Sequence, residues 1–269
     1  MIRHHDEDAP GLVGEALCAR GAAVDTHLYR APGPGAGTAR RGALPEGDDL
    51  SGYDHLVVLG SSRSVYEQGA WVGAEIDWLR RVRLPVLGIC FGAQLLSAAF
   101  GGSVERSPAY ELGWVRVEPV PPDAREAAGG EGADAGSGPR PSIEPGPWFE
   151  FHGDRCVLPP AARVLARTDV CVQAFTLGPH LGVQFHPEVD RSQLERWIAS
   201  PGGREAVLAA GRDPDDLVAE TAREEPAARA RAARLVAAYL DYAAAGGAVQ
   251  PPAGRSKNTW TWPVPTADS

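Results

Sequence analysis

A cysteine stands between two glycines in Gly88-Ile-Cys-Phe-Gly92, after the apolar run Leu84-Pro-Val-Leu-Gly-Ile89 and before Ala93-Gln-Leu-Leu-Ser-Ala-Ala-Phe100. A strand that turns sharply into a helix through G-x-Nu-x-G lifts its central residue onto an exposed elbow, and the glycines keep the crowded turn free of side chains. A thiol there meets the partial positive charge of the helix N-terminus, which favours thiolate, the reactive form. The next backbone N–H, that of Phe91, is placed to meet an oxyanion. Taken alone, the motif reads equally well as a small buried residue in a tight turn. A partner is supplied by Gly182-Val-Gln-Phe-His-Pro-Glu188. In extended backbone His186 and Glu188 project to one face, so the carboxylate can hold the imidazole tautomer while His186 takes a proton from Cys90.

The elements that must position these groups follow an alternating pattern. His55–Leu59 and Leu84–Ile89 are continuous apolar runs, as expected of parallel strands covered on both faces. Trp71–Arg81 and Leu12–Arg20 have helical spacing, and Ala22–His27, Trp114–Val117, Val170–Phe175 and Leu181–Phe185 read as further strands. Helices are expected at 193–199, 205–210 and 227–242. The fold class is therefore α/β with a mostly parallel, doubly wound sheet flanked by helices. Residues 121–147 are rich in Pro, Gly, Ala and charge and read as a flexible surface insertion. Residues 247–269 read as a Pro-rich tail following one domain of residues 1–246.

Composition narrows the partners. The net charge of −9 argues against nucleic acid, and no apolar window is long enough for a membrane span. The first residues, Met1-Ile-Arg-His-His-Asp-Glu-Asp, lack the apolar core of a signal peptide. The four cysteines, Cys18, Cys90, Cys156 and Cys171, have no metal-ligand spacing, so a cytoplasmic chain with reduced thiols, no metal and no cofactor is expected. Between Asp213 and Glu225 six acidic residues accompany one arginine, the pattern of a solvated helical face.

With both motifs in hand, the chain resembles the class I, triad-type glutamine amidotransferases, and among them the stand-alone members similar to the glutaminase domain of GMP synthase. The resemblance rests on Val57-Val-Leu-Gly60 with Ser64-Val-Tyr66, Pro85–Leu96, Glu111-Leu-Gly-Trp114, His152-Gly-Asp154, Val172-Gln-Ala-Phe175 and Gly182–Glu188, in that order. It implies a flavodoxin-like fold and hydrolysis of L-glutamine through a thioester at Cys90, with His186 as base and then acid and Glu188 orienting it. It further implies an oxyanion hole from the backbone of Phe91 and Ser61. Gln94, Gly60, Gly153 and Asp154 are the implied contacts to the substrate's amino-acid end. His152 and Asp154 read without the family would be a loop-capping pair.

Two departures stand out. Related sequences carry Gly-Gly-Pro after the second strand, whereas here Gly60-Ser-Ser-Arg63 puts serine at a position where φ > 0 would be costly. Only Met1, Ile2, Arg3 and His4 precede the His5–Gly11 segment, so either the natural start lies upstream or the first strand is very short. No synthetase domain or phosphate loop is recognisable. The leading expectation is a glutaminase that supplies ammonia to a separate synthetase. The alternative is a hydrolase of larger γ-glutamyl compounds, and the remaining readings are a non-catalytic scaffold or a thiol hydrolase or chaperone on a similar fold.

Overall fold

The structure is a computed structural model that describes residues 1–29, 44–45, 50–66, 70–121 and 140–246. Among them, nine strands form one sheet: β1 (Ile2–Arg3), β2 (His27–Leu28), β3 (Leu56–Val58), β4 (Val86–Ile89), β5 (Ser103–Pro119), β6 (Gly146–Val157), β7 (Arg163–Arg167), β8 (Val172–Leu177) and β9 (His180–Val183). Their order is β2-β1-β3-β4-β9-β8-β7-β5-β6. Pairing is parallel from β2 to β9 and antiparallel from β9 to β6. The flanking helices are α1 (Gly11–Cys18), α2 (Ala70–Leu79), α3 (Phe91–Ala99), α4 (Arg191–Ala199), α5 (Gly203–Ala209) and α6 (Pro214–Ala245).

The period-two alternation of the strands explains the layers. Val57, Leu59, Leu87, Ile89, Leu181 and Val183 pack on one side against Val13 and Leu17 of α1 and Leu235, Val236 and Tyr239 of α6. Leu56, Val58 and Val86 pack on the other against Val72 and Leu79 of α2 and Leu95 and Leu96 of α3. Strands covered on both faces need apolar residues at every position, hence the continuous runs in the sequence. The sheet order reverses between β1 and β3, and an open α/β sheet forms its ligand crevice at the carboxyl ends of the strands at such a point.

Several sequence expectations change. The strand expected over Ala22–His27 forms only at His27–Leu28, because the segment before it has no ladder partner until it meets Met1–Arg3. The first strand is formed, by two residues, and pairs with neighbours on both sides. The insertion expected over 121–147 ends earlier than its composition implies. Ile143 is buried in the core and Gly146 pairs with Val117, while 122–139 lie outside the described residues, as do 247–269. The helix expected over 227–242 begins at Pro214 instead. Asp213 caps it by accepting from the N–H groups of Asp215 and Asp216, and proline is tolerated in a first turn. The acidic run is thus the first third of α6 and is not wholly solvated: Leu217 and Thr221 are buried, and Glu220 and Glu225 pair with Arg212 and Arg229.

Candidate active site

The turn from β4 to α3 is built as the glycine pattern requires. Cys90 has φ 50°, the only positive φ at a non-glycine among the described residues. Its N–H donates to the Val183 carbonyl at 2.7 Å, which ties the elbow to β9. A Cβ on Gly92 would lie 2.2 Å from the Val58 carbonyl oxygen, and one on Gly88 would lie 2.6 Å from that of Gly92. Neither position can carry a side chain while the helix starts this close to the sheet. Backbone held in such a sparsely populated region costs about 1–3 kcal/mol and is characteristic of functional turns.

His186 leaves the end of β9 and is fixed by its N–H, which donates to the Phe149 carbonyl at 2.7 Å. Its Nδ1 lies 2.7 Å from Glu188 Oε1, and both side chains are buried. Burial opposes charge on this imidazole, but the Glu188 carboxylate and the nearby Cys90 outweigh it and hold the His186 pKa well above the ordinary histidine value. Nδ1 belongs to Glu188, so Nε2 is the ring atom left for the Cys90 side. The Glu188 segment is itself anchored: the Leu12 N–H at the start of α1 donates to the Glu188 carbonyl at 2.9 Å.

Gly60, Ser61, Cys90, Gln94, Gly153, Asp154 and His186 all line one cavity of about 620 Å³ at the carboxyl ends of β1, β3 and β4. Glu188 and Phe91 do not line the cavity: Glu188 pairs with the far side of the His186 ring, and the Phe91 ring stacks on Trp71 with centroids 5.8 Å apart. Neither Gly60 nor Ser61 has positive φ, so serine at position 61 carries no left-handed backbone strain. The Asp154 carboxylate accepts from Ser64 Oγ at 2.5 Å and Tyr66 Oη at 2.7 Å, tying the loop after β3 to β6. The Asp154 carbonyl is also engaged, by His152 Nδ1 at 3.0 Å and Gln94 Nε2 at 3.5 Å.

Sequence reading missed several contributors. Gln184 Nε2 lies 3.5 Å from Cys90 Sγ, and Gln184 Oε1 accepts from Gln94 Nε2 at 3.3 Å. The expected extended backbone through Glu188 is not what pairs His186 with Glu188: β9 ends at Val183, and the two side chains meet across a turn at Pro187–Glu188, closed by the Val189 N–H donating to the His186 carbonyl. Trp197 packs edge-on against His186 at 5.1 Å and donates to Asp8 at 3.1 Å; a tryptophan in an amphipathic helix carries no such signal. A register shift between Arg106 and Glu111 sets Tyr110 over Gly153, where a Cβ would meet the ring at 2.8 Å.

Behind the cavity, His152 Nε2 lies 3.0 Å from Glu150 and 3.4 Å from Glu111. Despite burial, these carboxylates push the His152 pKa up to about 10, and burial pushes Glu150 up to about 7. Glu111, His152 and Cys171 converge closely enough to ligate an ion. Gln173 and Cys171 donate to the Glu111 oxygen, at 2.9 and 3.6 Å, while Glu150 Oε1 and Gln173 Oε1 are buried without a hydrogen-bond partner. Among the described residues no helix is long and apolar enough to cross a membrane.

Comparison with known proteins agrees with this architecture. The family model of class-I glutamine amidotransferases matches residues 15–131, a stretch that contains the elbow. The chain is 32% identical over 150 residues to a glutamine-hydrolyzing GMP synthase subunit from Sulfolobus acidocaldarius, covering 54% of this chain and 73% of that protein. It is 36% identical over 162 residues to the glutamine-hydrolyzing GMP synthase of Thermomicrobium roseum, covering 56% of this chain but only 27% of that one. A glutamine amidotransferase structure from Thermotoga maritima superposes with a TM-score of 0.68 at 24% identity, over 89% of this chain and 96% of that one, and shares the fold. The chain belongs to the class I glutamine amidotransferases.

Proposed function

We propose that this protein hydrolyses the side-chain amide of L-glutamine through a γ-glutamyl thioester on Cys90 and delivers the ammonia to a separate synthetase. The observation that carries the reading is the buried Glu188–His186 pair beside a cysteine on a strained elbow. His186 takes the Cys90 proton, and the thiolate attacks the amide carbon. The carbonyl oxygen becomes an oxyanion between the N–H groups of Phe91 and Ser61. The C–N bond then breaks as His186 returns the proton to the leaving nitrogen, giving ammonia. Water, deprotonated by His186, attacks the thioester and releases glutamate and the free thiol. Gln94 and the Gly153–Asp154 backbone hold the amino-acid end, and Gly60 closes the side next to Cys90. Residues 1–246 form the catalytic domain in this reading.

A separate acceptor is supported by the S. acidocaldarius relative, which is named as one subunit of its synthase. Four free cysteines support a reducing, cytoplasmic setting. The test is glutamate release from glutamine, alone and with a candidate synthetase, with hydroxylamine to trap the acyl group. No turnover and no acylated Cys90 in either condition overturns the proposal.

One observation favours a second reading, a hydrolase of larger γ-glutamyl compounds. The cavity continues past the catalytic groups to Trp197 and the Ser200–Gly203 turn, and its volume of about 620 Å³ suits a ligand larger than glutamine. Comparing kcat/KM for glutamine and for γ-glutamyl amides decides between them.

A further inference from the structure

The oxyanion side of the site is braced by a buried histidine that the reaction itself does not use. His4 follows β1 directly and is 2% exposed; Glu75, in the middle of α2, is fully buried. His4 Nδ1 lies 2.8 Å from the Gly60 carbonyl oxygen, and its Nε2 lies 3.1 and 3.3 Å from the two Glu75 oxygens. A carbonyl can only accept, so Nδ1 carries a hydrogen. The proton between Nε2 and Glu75 is shared by the pair, and either location preserves the Nδ1–H donor. The Glu75 carboxylate also raises the His4 pKa against the opposing effect of burial.

The peptide linking Gly60 to Ser61 is planar and trans, so its C=O and N–H point in opposite directions. Holding the Gly60 oxygen on the His4 side therefore aims the Ser61 N–H the other way. Gly60 borders the reacting groups: a Cβ there would lie 3.0 Å from His186 Cε1 and 3.8 Å from Cys90 Cβ. The His4 ring also stands edge-on against Phe91, centroids 5.0 Å apart. One imidazole thus touches Phe91 and the peptide that carries the Ser61 N–H, the two groups that would form the oxyanion hole.

We propose that His4, oriented by Glu75, is a positioning residue that presets the oxyanion hole by locking the Gly60–Ser61 peptide. This rests on the role proposed above for Cys90 and the Ser61 N–H. It also explains how serine serves at position 61: the peptide is held from behind by a side chain, so no left-handed glycine is needed to aim it.

Two substitutions separate positioning from mere support. In His4→Asn the amide can occupy the Nδ1 place and donate to Gly60 but cannot reach Glu75. In His4→Gln the amide can occupy the Nε2 place and satisfy Glu75 but leaves Gly60 unheld. His4→Asn should be the less stable variant and yet retain the higher kcat. His4→Gln should lose about tenfold or more in kcat, less than complete removal of an oxyanion donor costs, with KM for glutamine little changed. Alkylation of Cys90 by iodoacetamide, which develops no oxyanion, should proceed at the wild-type rate in His4→Gln, a comparison that stands even if His4→Asn fails to fold. A kcat that follows stability, a rise in KM in place of the kcat loss, or an equal loss in alkylation rate overturns the proposal. If the wild-type protein acylates Cys90 with neither glutamine nor γ-glutamyl p-nitroanilide, the reading of Cys90 falls and the inference falls with it.

Discussion

Glu188 Oε1 lies 2.7 Å from His186 Nδ1, with both side chains buried and only Pro187 between them in sequence. A carboxylate so placed selects the tautomer whose Nε2 is available to Cys90 and stabilises the imidazolium formed on proton transfer. Cys90→Ala or Cys90→Ser should therefore abolish glutamate release, and His186→Ala should fall almost as far, since members of a triad act as a unit. Glu188→Ala should retain more activity because it orients and does not react. Initial rates on purified variants check the order; equal, mild losses at all three positions would contradict it.

The elbow strain has a measurable signature. Cys90→Gly should be inactive but more stable than Cys90→Ala by about 1–2 kcal/mol, since glycine adopts φ 50° without the penalty a Cβ incurs. Urea midpoints of the two variants test this.

The contact between α3 and β3 makes Gly92 a stringent position. Gly92→Ala brings a methyl group to 2.2 Å from the Val58 carbonyl oxygen, a backbone atom that cannot swing aside. The expected cost is about 2–4 kcal/mol, at or above the upper end of overpacking penalties. A denaturant midpoint indistinguishable from wild type would refute it.

Gln184 links Cys90 to Gln94, so truncating it should act on substrate holding. In Gln184→Ala the Gln94 amide keeps only its 3.5 Å contact to the Asp154 carbonyl. KM for glutamine should rise about fivefold, the worth of one hydrogen bond, with a smaller change in kcat.

The His152 cluster predicts a pH dependence of stability. Its folded pKa of about 10 lies above the ordinary histidine value, so the folded state holds a proton that the unfolded state releases. Stabilisation from this group is complete below about pH 6.5 and is lost as pH rises towards 10. Glu150, raised to about 7, acts in the same direction at lower pH. Urea midpoints should fall between pH 6 and pH 9 in the wild type, and His152→Gln should flatten that slope.

Much of the site was legible because its chemistry is local. The elbow is a run of five residues, and His186 and Glu188 are two positions apart, so neither needs distant information, although the pair meets across a turn and not along the extended strand the sequence suggested. The continuous runs of β3 and β4 revealed a sheet covered on both faces for the same reason. Composition misled where a few residues outweigh many: Ile143 buries itself at the end of a segment that otherwise reads as loop, and Leu217 and Thr221 bury one side of an acidic run. The short β1 and β2 carry almost no periodic signal; they exist because each supplies the other's hydrogen bonds.

The amino-acid sequence by itself singled out the candidate nucleophile, its candidate base and the layered α/β class, since these are written in spacings of a few residues. Only the tertiary structure decided which distant groups surround them. His4 and Glu75 are 71 positions apart and Gln94 and Gln184 are 90 apart, yet each pair meets in a hydrogen bond. The physical reason is that a buried polar group must find its partner wherever the fold supplies one. That partner is set by sheet order and helix packing, not by proximity along the chain.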